Sequence, residues 1–118
     1  MNIEEFYEYC LAKKGVEETF PFDEKTLVFK VMGKMFALTG LEREEFQVNL
    51  KCDPERSVLL REEFEDIQPG WHMSKKHWNT VFFERDLEYK LLCELIDHSY
   101  DLVVSKLTKK DKEQYNKL

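Results

Sequence analysis

Residues 27–39 read LVFKVMGKMFALT, two apolar runs separated by a glycine. The first run, residues 27–32, is rich in β-branched and aromatic side chains, and the second covers residues 35–39. A two-residue Gly-X connection between such runs is typical of a β-hairpin, because glycine adopts the positive φ that a type II′ turn requires. The stretch therefore predicts two antiparallel strands joined at Gly33-Lys34.

The segments around this hairpin carry further strand and helix patterns. Residues 46–52 alternate apolar and polar side chains, as half-buried antiparallel strands do. Residues 16–22, interrupted by a proline, and residues 77–84 are two more predicted strands. Residues 3–14 repeat apolar side chains at helical spacing after a capping box, Asn2 with Glu5, and precede a glycine.

A second helix is predicted to begin at Asp53-Pro54, because aspartate is a good N-cap and proline fits the first helical position. Within it Val58 and Leu59, together with Phe64, are expected to face the core. Residues 67–70 are predicted to form a turn.

Helical spacing returns from residue 86 onward. Ser99 is predicted to cap a further helical segment, and Thr108 with Asp111 to start a charged terminal helix. The order of elements predicts an α+β domain, with an antiparallel sheet packed on one face by N- and C-terminal helices.

Length and composition favour a single domain over residues 1–118. The chain is 42% hydrophobic and 36% charged, which is too apolar for a disordered protein. No apolar run is long enough to span a membrane, and the acidic N-terminal residues lack the pattern of a signal peptide. Three widely separated cysteines, Cys10, Cys52 and Cys93, indicate reduced thiols, so we expect a cytoplasmic protein.

Charge is distributed unevenly along the chain. The net charge is −6, yet residues 25–41, 69–83 and 105–118 carry +3, +2 and +3. The overall balance argues against a nucleic-acid binder, since such proteins present a basic face. The three basic segments leave that function open if folding brings them together.

Residues 69–83, PGWHMSKKHWNTVFF, gather two tryptophans, two histidines and two lysines. His72 and His77 are five positions apart, which places them on different faces of a strand or a helix and disfavours a shared metal ion. Asp97, His98 and Ser99 contain the residue types of a catalytic triad, but consecutive helical side chains diverge. We therefore predict no metal, no cofactor and no enzymatic activity.

The basic and aromatic residues of this segment fit two interpretations. Lysines can neutralise phosphates and exposed indoles can stack on bases, so Lys75, Lys76 and His77 beside Trp71 and Trp78 suggest a nucleic-acid contact. In the structural interpretation, Trp78 begins a core strand and the two lysines lie in a solvated loop.

Four motifs, read together and in order, resemble the YjbR/MmcQ family of small bacterial proteins. The motifs are PF at 21–22, FKVMGKMFAL at 29–38, PGWHMSKKHWNTV at 69–81 and SYDLV at 99–103. The resemblance implies a fold similar to bacterial frataxin, the CyaY-like fold. It also implies the DNA-binding role, through a double-wing arrangement, that has been proposed for the family.

These observations lead to one main hypothesis and two alternatives. The main hypothesis is a binding module that contacts duplex DNA through Lys30, Lys34, His72, Lys75, Lys76 and His77. One alternative is a protein or a small ligand bound in a groove near Trp71 and Trp78. The other is an acidic, iron-handling helix bearing Glu4, Glu5 and Glu8.

Overall fold

A computed structural model describes all 118 residues and places the predicted hairpin inside a six-stranded sheet. Every pair of neighbouring strands is antiparallel, and the order across the sheet is β1-β2-β3-β4-β6-β5. The strands are β1 (Val16–Thr19), β2 (Thr26–Val31), β3 (Lys34–Gly40), β4 (Gln47–Lys51), β5 (Ile67–Pro69) and β6 (Trp78–Phe82).

Four helices complete the domain: α1 (Ile3–Leu11), α2 (Pro54–Glu63), α3 (Tyr89–Ser105) and α4 (Lys109–Asn116). The main core lies where α1 and α3 pack on one face of the sheet. Phe6 of α1 and Ile96 of α3 are fully buried there against Phe29 and Phe36. The α+β class and the helix-backed antiparallel sheet predicted from the sequence are confirmed.

Edge-to-face aromatic contacts fix α1 on the sheet. The ring of Phe6 lies 5.5 Å, centroid to centroid, from those of Phe29, Phe46 and Phe83. Each such contact is worth about 0.5–1.5 kcal/mol beyond the apolar area that it buries. The N-terminal helix is therefore an integral part of the core.

The hairpin forms as predicted, but its turn lies one residue earlier than predicted. Val31 pairs with Lys34, so the two-residue loop is Met32-Gly33. Both loop residues have positive φ, 50° and 76°, which is the geometry of a type I′ turn. Lys34 is consequently the first residue of β3.

The second helix begins as predicted, but it buries a different face. Asp53 caps α2 by accepting from the Arg56 amide, whereas Val58 and Leu59 point to solvent. Ser57 and Leu60, one turn apart, are the buried pair, because α2 lies over the end of the sheet where Asn79 presents a polar side chain. The predicted turn at 67–70 is also wrong, because β5 pairs there with β6 as a short edge strand that tolerates Pro69.

Helix α3 runs without a break through the predicted cap at Ser99. Ser99 is fully buried in mid-helix, where its hydroxyl donates to the Phe36 carbonyl at 2.5 Å and accepts from the Lys51 amide at 2.9 Å. The β3–β4 pairing ends at Ala37 and Leu50, and the Ser99 hydroxyl bridges the next two residues, Phe36 of β3 and Lys51 of β4. The cap at Thr108 is confirmed, since its hydroxyl accepts from the Asp111 amide.

No helix combines the length and the apolar character that crossing a membrane would require.

Candidate nucleic-acid interface

Arg61 of α2 forms hydrogen bonds with the loop between β5 and β6. Its guanidinium donates to the Asn79 side chain at 2.7 Å and to the backbone carbonyls of Lys75 and Trp78 at 2.5 and 3.1 Å. A planar guanidinium with several donors is suited to fixing a loop in this way. Arg61 was not predicted as a site residue, because nothing in its local sequence distinguishes it from a solvated helix residue.

The two tryptophans occupy different environments. Trp78 is only 5% exposed and packs with Val28 and Leu38 on the sheet face away from α1 and α3, as the structural interpretation holds. Trp71 is 41% exposed and meets Phe82 edge to face. A single groove flanked by both indoles is therefore not formed.

Trp71 borders a shallow polar depression on the sheet face, with Arg43, Gln47 and Asn49 among the other lining residues. Its volume is about 60 Å³. Pockets that hold small organic ligands are typically ~300–1,000 Å³. The depression has room for a small polar group but not for a whole organic ligand.

Three lysines from distant parts of the sequence converge at one end of the sheet; we call Lys34, Lys51 and Lys106 the lysine cluster. The pKa of Lys51 is lowered, first because burial penalises the ammonium ion and then because Lys106 and Lys34 repel it. Its ammonium nitrogen lies 5.5 Å from the centroid of the Trp78 ring. The ion pairs of the structure involve other side chains, so none of the three lysines is paired directly with a carboxylate.

His77 joins this cluster through a hollow that it shares with Lys51 and Lys106. The hollow has a volume of about 130 Å³ and is also lined by Cys52 and Asp53. Each of the three basic segments thus contributes a residue next to Lys51. Lys51 itself lies in an acidic stretch, which is why charge counting missed it, although its place on the polar face of β4 was predictable.

The other predicted contact residues are distributed around this point. Lys30 lies on the open face of the sheet, opposite Glu17 in the strand register. His72 and Lys76 are exposed on the β5–β6 loop, with His72 at a positive φ of 59°. Lys75 is also exposed there, and its ammonium group donates to the Gly70 carbonyl at 3.4 Å.

The residues that resembled a triad diverge, as the helical spacing predicted. Asp97 accepts from the Tyr9 hydroxyl at 2.7 Å and pairs with Lys13. The Nε2 atom of His98 accepts from the Asp53 amide at 3.1 Å, and burial lowers the pKa of its imidazole. Ser99 bonds to the strands, so these neighbours serve three separate structural contacts.

The cysteines and acidic residues show no sign of a preformed reactive or metal site. Cys10 and Cys52 are buried and Cys93 is half-buried, and burial raises the pKa of all three thiols. No cluster of three or more His, Cys, Asp or Glu side chains has a geometry suited to a metal ion. Glu5, one of the acidic residues in the iron hypothesis, instead accepts from the Asn2 amide at the start of α1.

Comparison with known proteins identifies relatives over most of the chain. The YjbR family model matches residues 11–102. Uncharacterized protein YbdF of Escherichia coli O157:H7 is 40% identical over 99 residues, which are 84% of this chain and 81% of that protein. Uncharacterized protein YjbR of Escherichia coli K12 is 36% identical over 107 residues, 91% of each chain.

Solved structures agree with this relationship. A crystal structure of a Deinococcus radiodurans protein with a DUF419 domain has a TM-score of 0.91 and 38% identity, covering 98% of this chain and 88% of that one. A Pseudomonas syringae crystal structure has a TM-score of 0.74 and 28% identity, covering 86% and 98%. The names of these proteins do not state a biochemical activity. Their sequences and folds nevertheless show that the chain belongs to the YjbR family.

Proposed function

We propose that this YjbR-family domain binds duplex DNA, with the lysine cluster as the centre of the contact. The observation that carries the proposal is the convergence of Lys34, Lys51 and Lys106 from three separate segments, with none of the three in an ion pair. Holding like charges together costs free energy in the unbound protein. A phosphate placed among them removes that repulsion, and DNA offers phosphates at regular intervals.

The surrounding residues extend the proposed contact beyond a single phosphate. His77 lies in the hollow shared with the cluster, and it leads back into the exposed lysines of the β5–β6 loop. His72, Lys75 and Lys76 in that loop, and Lys30 on β2, are assigned to flanking phosphates. The net charge of −6 does not oppose this assignment, because the local potential, rather than the total charge, governs a contact within a Debye length of about 10 Å.

The proposal is tested by fluorescence anisotropy of a short labelled duplex, titrated at several salt concentrations. The logarithm of the binding constant is expected to fall linearly with the logarithm of salt, by a slope of about −0.9 for each phosphate contacted. If each lysine contacts one phosphate, the triple variant Lys34→Gln/Lys51→Gln/Lys106→Gln should make that slope less negative by about 2 to 3.

Lys90→Gln is the matched control, because Lys90 is exposed on α3 among Glu63, Glu88 and Glu94. This single change should leave both the affinity and the salt slope unchanged. Absence of binding by micromolar protein at low salt would refute the proposal. So would a triple variant that keeps the wild-type slope.

A further inference from the structure

A second feature of the surface is an apolar groove beside α1, formed at the end of the molecule where β1, β2 and β3 meet their loops. Its volume is about 410 Å³, within the range of ~300–1,000 Å³ that binding pockets occupy. The lining residues are Ile3, Glu4, Tyr7, Glu8, Glu18, Phe20, Leu27 and Leu41.

The large side chains of this groove are left uncovered by the protein's own chain. Phe20 is 47% exposed and Leu41 43% exposed, and Ile3 adds a third partly exposed apolar side chain. Leu27, which is buried, belongs to the main core and forms the floor. Contiguous exposed apolar surface of this kind marks an interaction site more often than isolated exposed residues do.

Every charged residue in the groove is acidic. Glu4 and Glu8 lie one turn apart on α1, and Glu18 of β1 accepts from the Tyr7 hydroxyl at 2.5 Å, which fixes its position. Residues 1–24 carry a net charge of −5. A partner that fits must therefore combine apolar side chains with positive charge.

The strand next to the groove favours a polypeptide as that partner. β1 is the outermost strand of the sheet, so one of its edges has no neighbouring strand in this chain. Edges of this kind accept an extended segment through backbone hydrogen bonds, while adjacent pockets take its side chains. An anionic membrane surface would be repelled by the glutamates, and a second copy of the chain would bring a second set of them.

We propose that this acidic apolar groove docks a segment of a partner protein that carries large apolar side chains flanked by lysine or arginine. The site shares no residue with the lysine cluster or with the loop assigned to DNA. Whether the groove binds a peptide can therefore be tested independently of the proposed DNA binding.

The test uses three labelled peptides of equal length in a fluorescence anisotropy titration. The first alternates lysine with leucine and phenylalanine, the second replaces lysine by glutamate, and the third replaces the apolar residues by serine. Only the first is expected to bind. Equal binding of the lysine–serine peptide would mean that charge alone is recognised and would overturn the proposal, as would absence of binding by the first peptide.

Variants then locate the binding site on the protein. Phe20→Ser/Leu41→Ser is expected to weaken the lysine–leucine peptide at least about tenfold, because the two side chains are the main exposed apolar surface of the groove. Leu59→Ser is the control, since Leu59 is also a large, exposed apolar side chain but lies on α2. Circular dichroism melting of each variant verifies that the fold is retained.

The acidic residues are tested in the same way. Glu4→Gln/Glu8→Gln should weaken the peptide about two- to tenfold, in line with exposed charge pairs, and Glu62→Gln on α2 should not. Unchanged affinity in both groove variants would overturn the proposal. Light scattering tests whether a second copy of the chain occupies the groove. A wild-type dimer that becomes a monomer in Phe20→Ser/Leu41→Ser would assign the groove to self-association and overturn the proposal.

Discussion

Ser99→Ala tests whether a single hydroxyl ties helix α3 to two strands of the sheet. The Ser99 hydroxyl donates to the Phe36 carbonyl at 2.5 Å and accepts from the Lys51 amide at 2.9 Å. Alanine keeps the helix and the packing but removes both bonds. The buried Phe36 carbonyl then loses the Ser99 hydroxyl, and the β3–β4 pairing, which ends at Ala37 and Leu50, supplies no replacement.

The expected loss follows from these two groups. An unsatisfied buried backbone group costs about 1–3 kcal/mol, and we assign about 2 kcal/mol to the Phe36 carbonyl. The Lys51 amide lies nearer the surface, where water replaces part of the lost bond, so we assign it about 1 kcal/mol. Alanine returns about 0.5 kcal/mol through its higher helix propensity. The free energy of unfolding should therefore fall by about 2–3 kcal/mol.

Urea denaturation monitored by tryptophan fluorescence and by circular dichroism measures this loss. The denaturation midpoint should fall by about 1–2 M at an unchanged m-value, since m is ~1–3 kcal/mol/M for small proteins. Ser105→Ala is the control, because its hydroxyl bonds only to the Leu102 carbonyl one turn away at the exposed end of α3. A loss in Ser99→Ala no greater than in Ser105→Ala would refute the assigned role of this hydroxyl.

Three further changes probe the turn, the loop and the pH dependence. Gly33→Ala should lower the unfolding free energy measured by urea denaturation by about 1 kcal/mol, because φ at this position is +76°. The added methyl group meets no atom within 4 Å, so the cost is purely conformational. A loss several times larger would contradict this origin. Arg61→Ala should cost about 2–3 kcal/mol and speed amide exchange around Lys75, whose carbonyl it binds, while unchanged exchange would show that the loop holds itself. Burial lowers the pKa of His98 in the folded state below its unfolded value of about 6.5. Between these two pKa values the unfolded chain binds more protons than the folded one. The unfolding free energy should therefore decrease as pH falls through this window. His98→Gln, which keeps an acceptor for the Asp53 amide, should show a shallower decrease between pH 7 and 5, and equal slopes would exclude His98 as the source.

Local chemistry explains which elements were predicted correctly. The caps at Asn2, Asp53 and Thr108 depend on side chains that bond within one helical turn, so they are visible in the sequence. The hairpin was identified for the same reason, although its turn was placed one residue late. Positive φ at Met32 as well as at Gly33 is uncommon for a residue with a side chain, and the twist of the two strands imposes it.

Predictions that required knowledge of the neighbouring element were less successful. Val58 and Leu59 were assigned to the core by their chemistry, yet α2 turns its polar Ser57 toward Asn79. Ser99 has the residue type of a cap, yet it meets a carbonyl of β3 and an amide of β4 where the pairing of these strands ends. In both cases the sequence contains the residue but not the surface that it meets.

The sequence by itself determined the α+β class, the antiparallel hairpin, the helix starts and the uneven charge, because each depends on residues close together along the chain. Only the tertiary structure decided that Lys34, Lys51, His77 and Lys106 lie together, since they come from two strands, a loop and a helix end. It likewise separated buried Trp78 from exposed Trp71, seven residues apart. Burial and electrostatic potential arise from all neighbours in space, so no local pattern of residues can specify them.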